Sequence, residues 1–460
     1  MKRLSEFSRR DFLRESAVGS AGVAQLGFLS GAASQRILGA NDRVRIAVCG
    51  IHKRGWDHVR QFAELPNVEV AAVCEVDENV IRRRLADMEK LGLPKPATYI
   101  DVRKLLEDKS IDAVSVATPQ HWHALIAIWA CQAGKDVYVE KPCSHNWWEG
   151  CQLIRAANKY NRIVQHGTQG RSHKSSIEAI NKLKSGLIGD VYLARGLCYK
   201  RRNTIGKAPA EPVPAGLHYD LWTGPAQVKP YTRNRHFYNW HWFWDTGNGD
   251  LGNQGVHQLD KARWGLGVGF PNKVSAMGGH FMFDDDQETP NTLNCSFQFD
   301  LPGGKRKMIE FAVRHWITNR EAEIGTDFMF SHGQGHNTIG NIFYGSNGYL
   351  ATGDEDVLSG YRSWIGPDMQ PGPFAHEGGS HWGNFIDCVR SRRKQDLNAP
   401  IEEAHISCTL VHLANASYRL GRTLNFDPES EQVIGDAEAN RLLRDADRGY
   451  RKPFVIPEEV

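Results

Sequence analysis

VRIAVCGIHKRGWDHVRQF, residues 44–62, decides how the fold is read. Val44 to Cys49 is a short apolar, β-branched run of strand type. Gly50 and Gly55 follow, and then a helical pattern begins. Strand, glycine turn and helix open a dinucleotide-binding βαβ unit. The spacing is that of GxGxxG with His52 in the middle position. Gly50 can make the tight turn and Gly55 can admit close helix packing. The glycine that would let backbone approach a pyrophosphate is the one replaced. On these residues alone an ordinary βα turn competes with the nucleotide-binding reading.

Working outward, VEVAAVCEVD (68–77) is a second apolar strand ending in Glu75. An acid at that distance suits the hydroxyls of an adenosine ribose and disfavours a 2′-phosphate, so NAD is expected rather than NADP. Arg82, Arg83 and Arg84 lie nearby and pull the other way. A surface acid at a strand end is the plainer alternative for Glu75. IDAVSVATP (111–119) and DVYVEKP (136–142) are further strands, with helical segments at 102–108 and 123–133. Alternating strands and helices predict a doubly wound parallel sheet. Ligands bind at the carboxyl ends of such strands, where Gly50, Glu75, Thr118 and Lys141 fall.

ATPQHWHA (117–124) and VEKP (139–142), downstream of a modified glycine turn, resemble the Gfo/Idh/MocA oxidoreductase family. The resemblance covers most of the chain after residue 43. It implies that Lys141 lies near the nicotinamide and the reacting hydroxyl. It puts the segment with Thr118, Pro119 and His123 beside the cofactor, together with Gly50, Ile51, His52, Gly55, Glu75 and Glu140. It also implies that QHGTQGRSH (165–173) lines the active-site cleft, with Arg171 either holding substrate or standing as a surface arginine. His121 and His123 lack a third ligand nearby in sequence, so no metal is expected there.

Beyond residue 186, segments 190–199, 272–283, 292–300 and 305–315 alternate as strands with turns between them. Helical patterns follow at 381–393 and 402–422, with Gly421 as C-cap. The expected architecture is an α/β Rossmann-type doubly wound parallel sheet plus an α+β domain with a large, mostly antiparallel open sheet. The expected boundaries are a leader over 1–40, the Rossmann domain over 41–165, the α+β domain over 166–425 and a C-terminal tail over 426–460 packing on the body. The resemblance implies homo-oligomers through the outer face of the second sheet.

Between 201 and 245 regular pattern fades and aromatics gather. Trp222, Tyr238, Trp240 and His241 are candidates for a carbohydrate, whose rings offer C–H patches and hydroxyls. Core or subunit packing is the competing role for some of these rings. Then comes GDLGNQGVHQLD (249–260), with Asn253, His257 and Asp260 spaced to share a helix face. The resemblance supplies a DxxxH pair on this helix. His257 matches its histidine, and Asn253 stands where many members carry an acid. Alcohol oxidation needs a base near neutrality, which His257 can be, and a cation for the developing alkoxide, which Lys141 can be. Asp260 is expected to support His257 or to cap structure. A satisfied polar helix face is the alternative for all three.

A chain of 460 residues and formal charge +3 is expected to hold two domains, without a basic block for nucleic acid. Nine cysteines without a CxxC pair are expected to form neither a disulfide framework nor a zinc site, and no metal is expected in the chain. Arg9-Arg10 with Phe12-Leu13 and the Gly/Ala-rich stretch to Ala33 resemble a twin-arginine export signal, too weakly apolar for a stable anchor. Free redox cofactor is scarce outside the cytoplasm. Two enzyme readings follow: an NAD-dependent dehydrogenase of a sugar, polyol or sugar derivative, and an NAD-dependent glycoside hydrolase that re-reduces its own oxidised intermediate. A non-catalytic sugar-binding protein is the third.

Overall fold

Apolar runs buried on both faces need parallel neighbours and helical cover, and the first part of the chain supplies both. In the computed structural model, β1 (Val44–Cys49), β2 (Val68–Cys74), β3 (Ala97–Tyr99), β4 (Ala113–Val116), β5 (Asp136–Val139) and β6 (Val164–His166) pair in the order β3-β2-β1-β4-β5-β6. Every pairing in this sheet is parallel. The intervening helices are α1 (Arg54–Ala63), α2 (Glu78–Lys90), α3 (Val102–Glu107), α4 (Gln120–Gln132) and α5 (Trp147–Lys159). Asp77, Asp101 and Asn146 cap α2, α3 and α5 by accepting a backbone N–H of the first turn. The strand order reverses between β1 and β4, the switch point at which such sheets take ligands. The structure describes residues 43–319, 321, 322, 324, 337–353, 360–445 and 449–460. The leader read over 1–40 lies outside them. Among the described residues no helix is long and apolar enough to cross a membrane.

After α6 (Lys174–Lys184), β7 (Val191–Tyr199), α7 (Tyr219–Thr223) and α8 (Val256–Leu266) come β8 (Lys273–Gly279), β9 (Thr292–Asp300) and β10 (Arg306–Arg314). These are the strands the alternation predicts. The sequence reading missed β11 (Thr338–Gly345), β12 (Gly348–Gly353), β13 (Gly360–Ile365) and β14 (Gln370–His376). Their glycines hide the strand signal. Those glycines are there because neighbouring backbones come close: a Cβ on Gly340 would lie 2.2 Å from the Thr352 carbonyl oxygen. The second sheet has ten strands in the order β14-β13-β12-β11-β7-β10-β9-β8-β15-β16, closing with β15 (Leu424–Asp427) and β16 (Gln432–Val433). β7 and β10 are parallel, and the other pairs are antiparallel.

Helices of the second half bind the two sheets together. α8 packs on β7, β10 and β11. α9 (His381–Ser391) returns to the first sheet, where Phe385, Ile386 and Val389 share a core with Val48, Phe62 and Tyr138. α10 (Ile401–Leu420) ends at Gly421 in the left-handed conformation and packs on α5 and α8. α11 (Ala437–Asp445) follows, and Phe454 and Ile456 near the C-terminus are buried in the same core as Trp122.

Candidate active site

The carboxyl ends of β1, β2, β4 and β5 open onto a cleft of about 940 Å³. Gly50, His52, Glu75, Thr118, Pro119, His123, Glu140 and Lys141 line it from the first sheet. Gly50 has φ +75°, and a Cβ there would press within 2.8 Å of the Ala117 carbonyl oxygen. A Cβ on Gly55 would meet the Gly50 carbonyl oxygen at 1.6 Å, so helix and turn touch. Ile51 enters by its backbone, its side chain being buried: its N–H donates to Glu75 Oε2 at 3.0 Å. Glu75 also accepts from the N–H groups of Val76 and Asp77, while burial pushes its carboxyl pKa up. Arg84 donates to the carbonyls of Ile51 and His52 and to Asp87, so its charge is committed to the turn. Of the three arginines after β2, Arg83 and Arg84 reach the cleft.

Lys141 follows β5 and faces the second half of the molecule. Its ammonium donates to the Asn253 backbone carbonyl and, at 3.4 Å, to the Asn253 Oδ1. Asn253 stands in a π turn, Leu251–Gly255, that runs straight into α8. Such widened turns collect at functional sites. Asn253 Nδ2 donates to Asp250 Oδ1 at 2.9 Å and to the Tyr238 hydroxyl at 3.2 Å. Asp250 is buried and accepts from Arg202 at 2.7 and 2.9 Å and from His315 Nε2 at 2.7 Å. Burial alone would raise its carboxyl pKa, but Arg202 and His315 outweigh it and hold the group well below the usual range. The sequence reading missed Asp250, Arg202 and His315. Each is an ordinary polar residue until the fold joins them. The charge expected at position 253 is thus present three residues earlier, bonded to the amide.

His257, half-buried, lines the cleft on the same wall as Asn253 and Gln254. Trp222, Tyr238, Trp240 and His241 line it from the aromatic loop. Trp240 and His241 stack at 3.6 Å between ring centroids, and Trp222 stacks on Tyr219. His241 Nδ1 lies 2.5 Å from the Tyr238 carbonyl oxygen. A carbonyl accepts only, so Nδ1 carries the proton and Nε2 keeps its lone pair. Burial lowers the His241 pKa well below the ordinary imidazole range, and Lys141 and Arg202 deepen the effect. His241 is a neutral imidazole at neutral pH.

Two expectations are corrected. Arg171 and Asp260, read as cleft residues, bind each other away from it. Arg171 donates to Asp260 at 2.7 and 2.9 Å, and Ser407 adds a third hydrogen bond to Asp260 at 2.7 Å. Both are buried, and neither lines the cleft. Burial would raise the Asp260 pKa, but Arg171 outweighs it and brings it to about 2. Glu140 reaches the cleft wall, yet its carboxylate is committed inward: Arg54, His58 and Gln169 donate to it at 2.8, 3.0 and 3.1 Å. It supports the strand end that carries Lys141. His123 bridges the carbonyls of Pro142 and Thr118 at 2.7 Å each, bracing two strand ends beneath the cleft.

A Rossmann sheet whose strand ends, one of them carrying a lysine, face an amide and imidazoles from a second sheet domain defines a class, the two-domain nicotinamide-dependent oxidoreductases. The family model described as "Oxidoreductase family, NAD-binding Rossmann fold" matches residues 44–168. That described as "Oxidoreductase family, C-terminal alpha/beta domain" matches residues 175–277 and 337–454. The chain belongs to the Gfo/Idh/MocA family, and its Rossmann domain is of the NAD-binding kind. A glycosyl hydrolase family 109 protein of Shewanella pealeana is 29% identical over 203 residues, 40% of this chain and 44% of that protein. The match thus spans less than half the length of that curated relative. Among solved structures, the aldose-aldose oxidoreductase of Caulobacter crescentus, complexed with glycerol, has a TM-score of 0.60 at 18% identity, covering 84% of this chain and 100% of that one. The WlbA dehydrogenase of Bordetella pertussis, in complex with NADH and UDP-GlcNAcA, has a TM-score of 0.59 at 17% identity over 84% and 99%. At these identities the likeness is one of fold.

Proposed function

We propose that the protein is an NAD-dependent oxidoreductase acting on a hydroxyl of a sugar, polyol or sugar derivative. One observation carries this reading: the Lys141 ammonium, bonded to Asn253, sits in the same cleft as the Gly50 turn and Glu75. When bound, NAD supplies the hydride acceptor. The Gly50 turn and the N-terminus of α1 would hold its pyrophosphate, and Glu75 its adenosine ribose. Lys141 binds the substrate oxygen and stabilises its negative charge as the hydroxyl proton leaves. His257 takes that proton. Asn253, fixed by Asp250, orients Lys141, and Trp222, Tyr238 and Trp240 offer ring faces to the sugar. The test is to denature the purified protein and identify released nicotinamide, and then to assay free sugars with added NAD. Absence of bound nicotinamide together with no affinity for added NAD would overturn the reading and leave a sugar-binding protein.

A second reading is supported by His241. His241 lines the cleft that Lys141 lines and keeps a lone pair on Nε2, so a second base is available to the site. The same residues suit a glycoside hydrolase. After a sugar carbon is oxidised, His241 removes the proton from the adjacent carbon and the glycosidic oxygen departs. Water then adds, and the carbonyl is reduced back. Release of aglycone from aryl glycosides without added NAD supports this reading; reduced nicotinamide accumulating only with added NAD and a free sugar supports the dehydrogenase. Export by the twin-arginine-type leader would suit the hydrolase, because one loaded cofactor serves every turnover. Assembly through the outer face of the ten-stranded sheet completes the proposal, with solution mass as its check.

A further inference from the structure

Away from the cleft, three side chains with soft ligand atoms meet inside the core. Cys143 lies just past β5, His166 is the last residue of β6, and Cys408 lies midway along α10. All three side chains are fully buried. Their ligand atoms lie within 4.8 Å of one another. Cys143 Sγ is 3.7 Å from Cys408 Sγ, and Cys408 Sγ is 3.9 Å from His166 Nε2. We propose that Cys143, His166 and Cys408 form a zinc site that ties the strand end carrying Lys141 to α10.

The distances carry the argument. Zinc–sulfur bonds of about 2.3 Å at tetrahedral angles separate two sulfurs by about 3.8 Å, and a sulfur from an imidazole nitrogen by about 3.6 Å. The observed separations match these edges without large movement. His166 is oriented for the task. Its Nδ1 lies 3.3 Å from the Thr168 hydroxyl, which leaves Nε2 to face the sulfurs. Charge agrees as well. Two thiolates, a neutral imidazole and a divalent ion sum to zero, the arrangement that a fully buried site tolerates. Soft thiolates with imidazole select zinc over hard cations. Three protein ligands leave one position of the tetrahedron for a small fourth ligand. With no solvent path to the sulfurs, the ion binds as the chain folds.

A second cluster, Cys151, His405 and Glu431, has the same ligand count but a different state. There His405 Nε2 is hydrogen-bonded to Glu431 Oε2 at 3.0 Å, and Trp147 donates to the same oxygen at 2.8 Å. Its hydrogen bonds run to a carboxylate oxygen and are stronger than the thiol contacts at 3.7 and 3.9 Å in the first cluster. Sequence reading could find neither, because ligands at 143, 166 and 408 follow no spacing motif.

The full chain, refolded with zinc or with cobalt(II), tests the proposal by elemental analysis and absorption. The expected result is one ion per chain, a thiolate-to-cobalt charge-transfer band, and loss of both in Cys143→Ala and Cys408→Ala. Cys151→Ala should keep both. If the alanine variants fail to fold, the wild-type chain still decides: one zinc per chain should survive dialysis against a chelator while the protein is folded and be released when it is unfolded in denaturant. Wild-type protein without stoichiometric metal or cobalt band, retention of metal by the folded Cys143 and Cys408 variants, or a Cys143–Cys408 disulfide in the purified protein overturns it.

Discussion

Asn253 and Asp260 stand seven positions apart on one continuous helical segment, yet they belong to different kinds of site. Asp260 has its partners complete: Arg171 grips both oxygens, and Ser407 adds a hydrogen bond. Asn253 is held from behind by Asp250 and gives its own oxygens to a lysine at a cleft wall. A buried ion pair with every hydrogen bond made is a structural joint. A polar group fixed from behind and bonded to a cleft-lining lysine can act on a ligand through that lysine. Residue type does not separate the two roles; the neighbours do.

Substitution at the joint should unfold the protein without touching chemistry. Asp260→Ala leaves the Arg171 guanidinium buried without its main partner, and is expected to cost about 3–5 kcal/mol in urea unfolding. Turnover per folded molecule should stay near the wild-type value. If Asp260→Ala abolishes turnover in protein that is still folded, the division between the two regions is wrong. Lys141→Ala should do the reverse. Loss of one preorganised charge at the reacting oxygen costs about 10²–10³ in kcat, with the unfolding midpoint little changed. Near-normal turnover by Lys141→Ala would remove the mechanism proposed above.

Acid should weaken the joint. The folded-state pKa of Asp260 lies near 2, below its ordinary value, because Arg171 outweighs burial. Its stabilisation is therefore complete above the ordinary value near 3.9 and is lost as pH falls from there toward about 2. The loss amounts to about 2.6 kcal/mol, and Asp260→Asn should remove that share of the slope. An effect of similar size is expected at Asn253. Asn253→Asp replaces the donor that binds Asp250 with a second carboxylate, a loss of about 1.5–3 kcal/mol. It should appear in kcat/KM first, because the disturbed group orients Lys141. A variant more active than wild type would mean that an acid at 253 serves the reaction as well as the Asp250–Asn253 pair.

Much of the first wall was legible in the sequence. Gly50, Glu75, Thr118 and Lys141 stand at the ends of apolar runs, and a strand end is a local property of the chain. The aromatic loop was legible as a cleft wall because its rings are dense and its backbone pattern is weak. The opposite wall was legible only in part. His257 and Asn253 reach the cleft, but the charge behind Asn253 comes from Asp250, whose partners Arg202 and His315 lie 48 and 65 positions away. Arg171 and Asp260 looked like site residues because each is polar in a promising segment. They are 89 positions apart, and the fold brings them together away from the cleft.

By itself the sequence determined the parallel sheet, the family and the strand ends that line the cleft. Each follows from short-range physics: strand burial, glycine turns and the residue types at strand ends. Tertiary structure alone decided which polar groups are spent on one another and which face the cleft, and why β11–β14 form at all. Hydrogen-bond satisfaction and close backbone approach are settled between segments distant in the chain, and no local pattern records them.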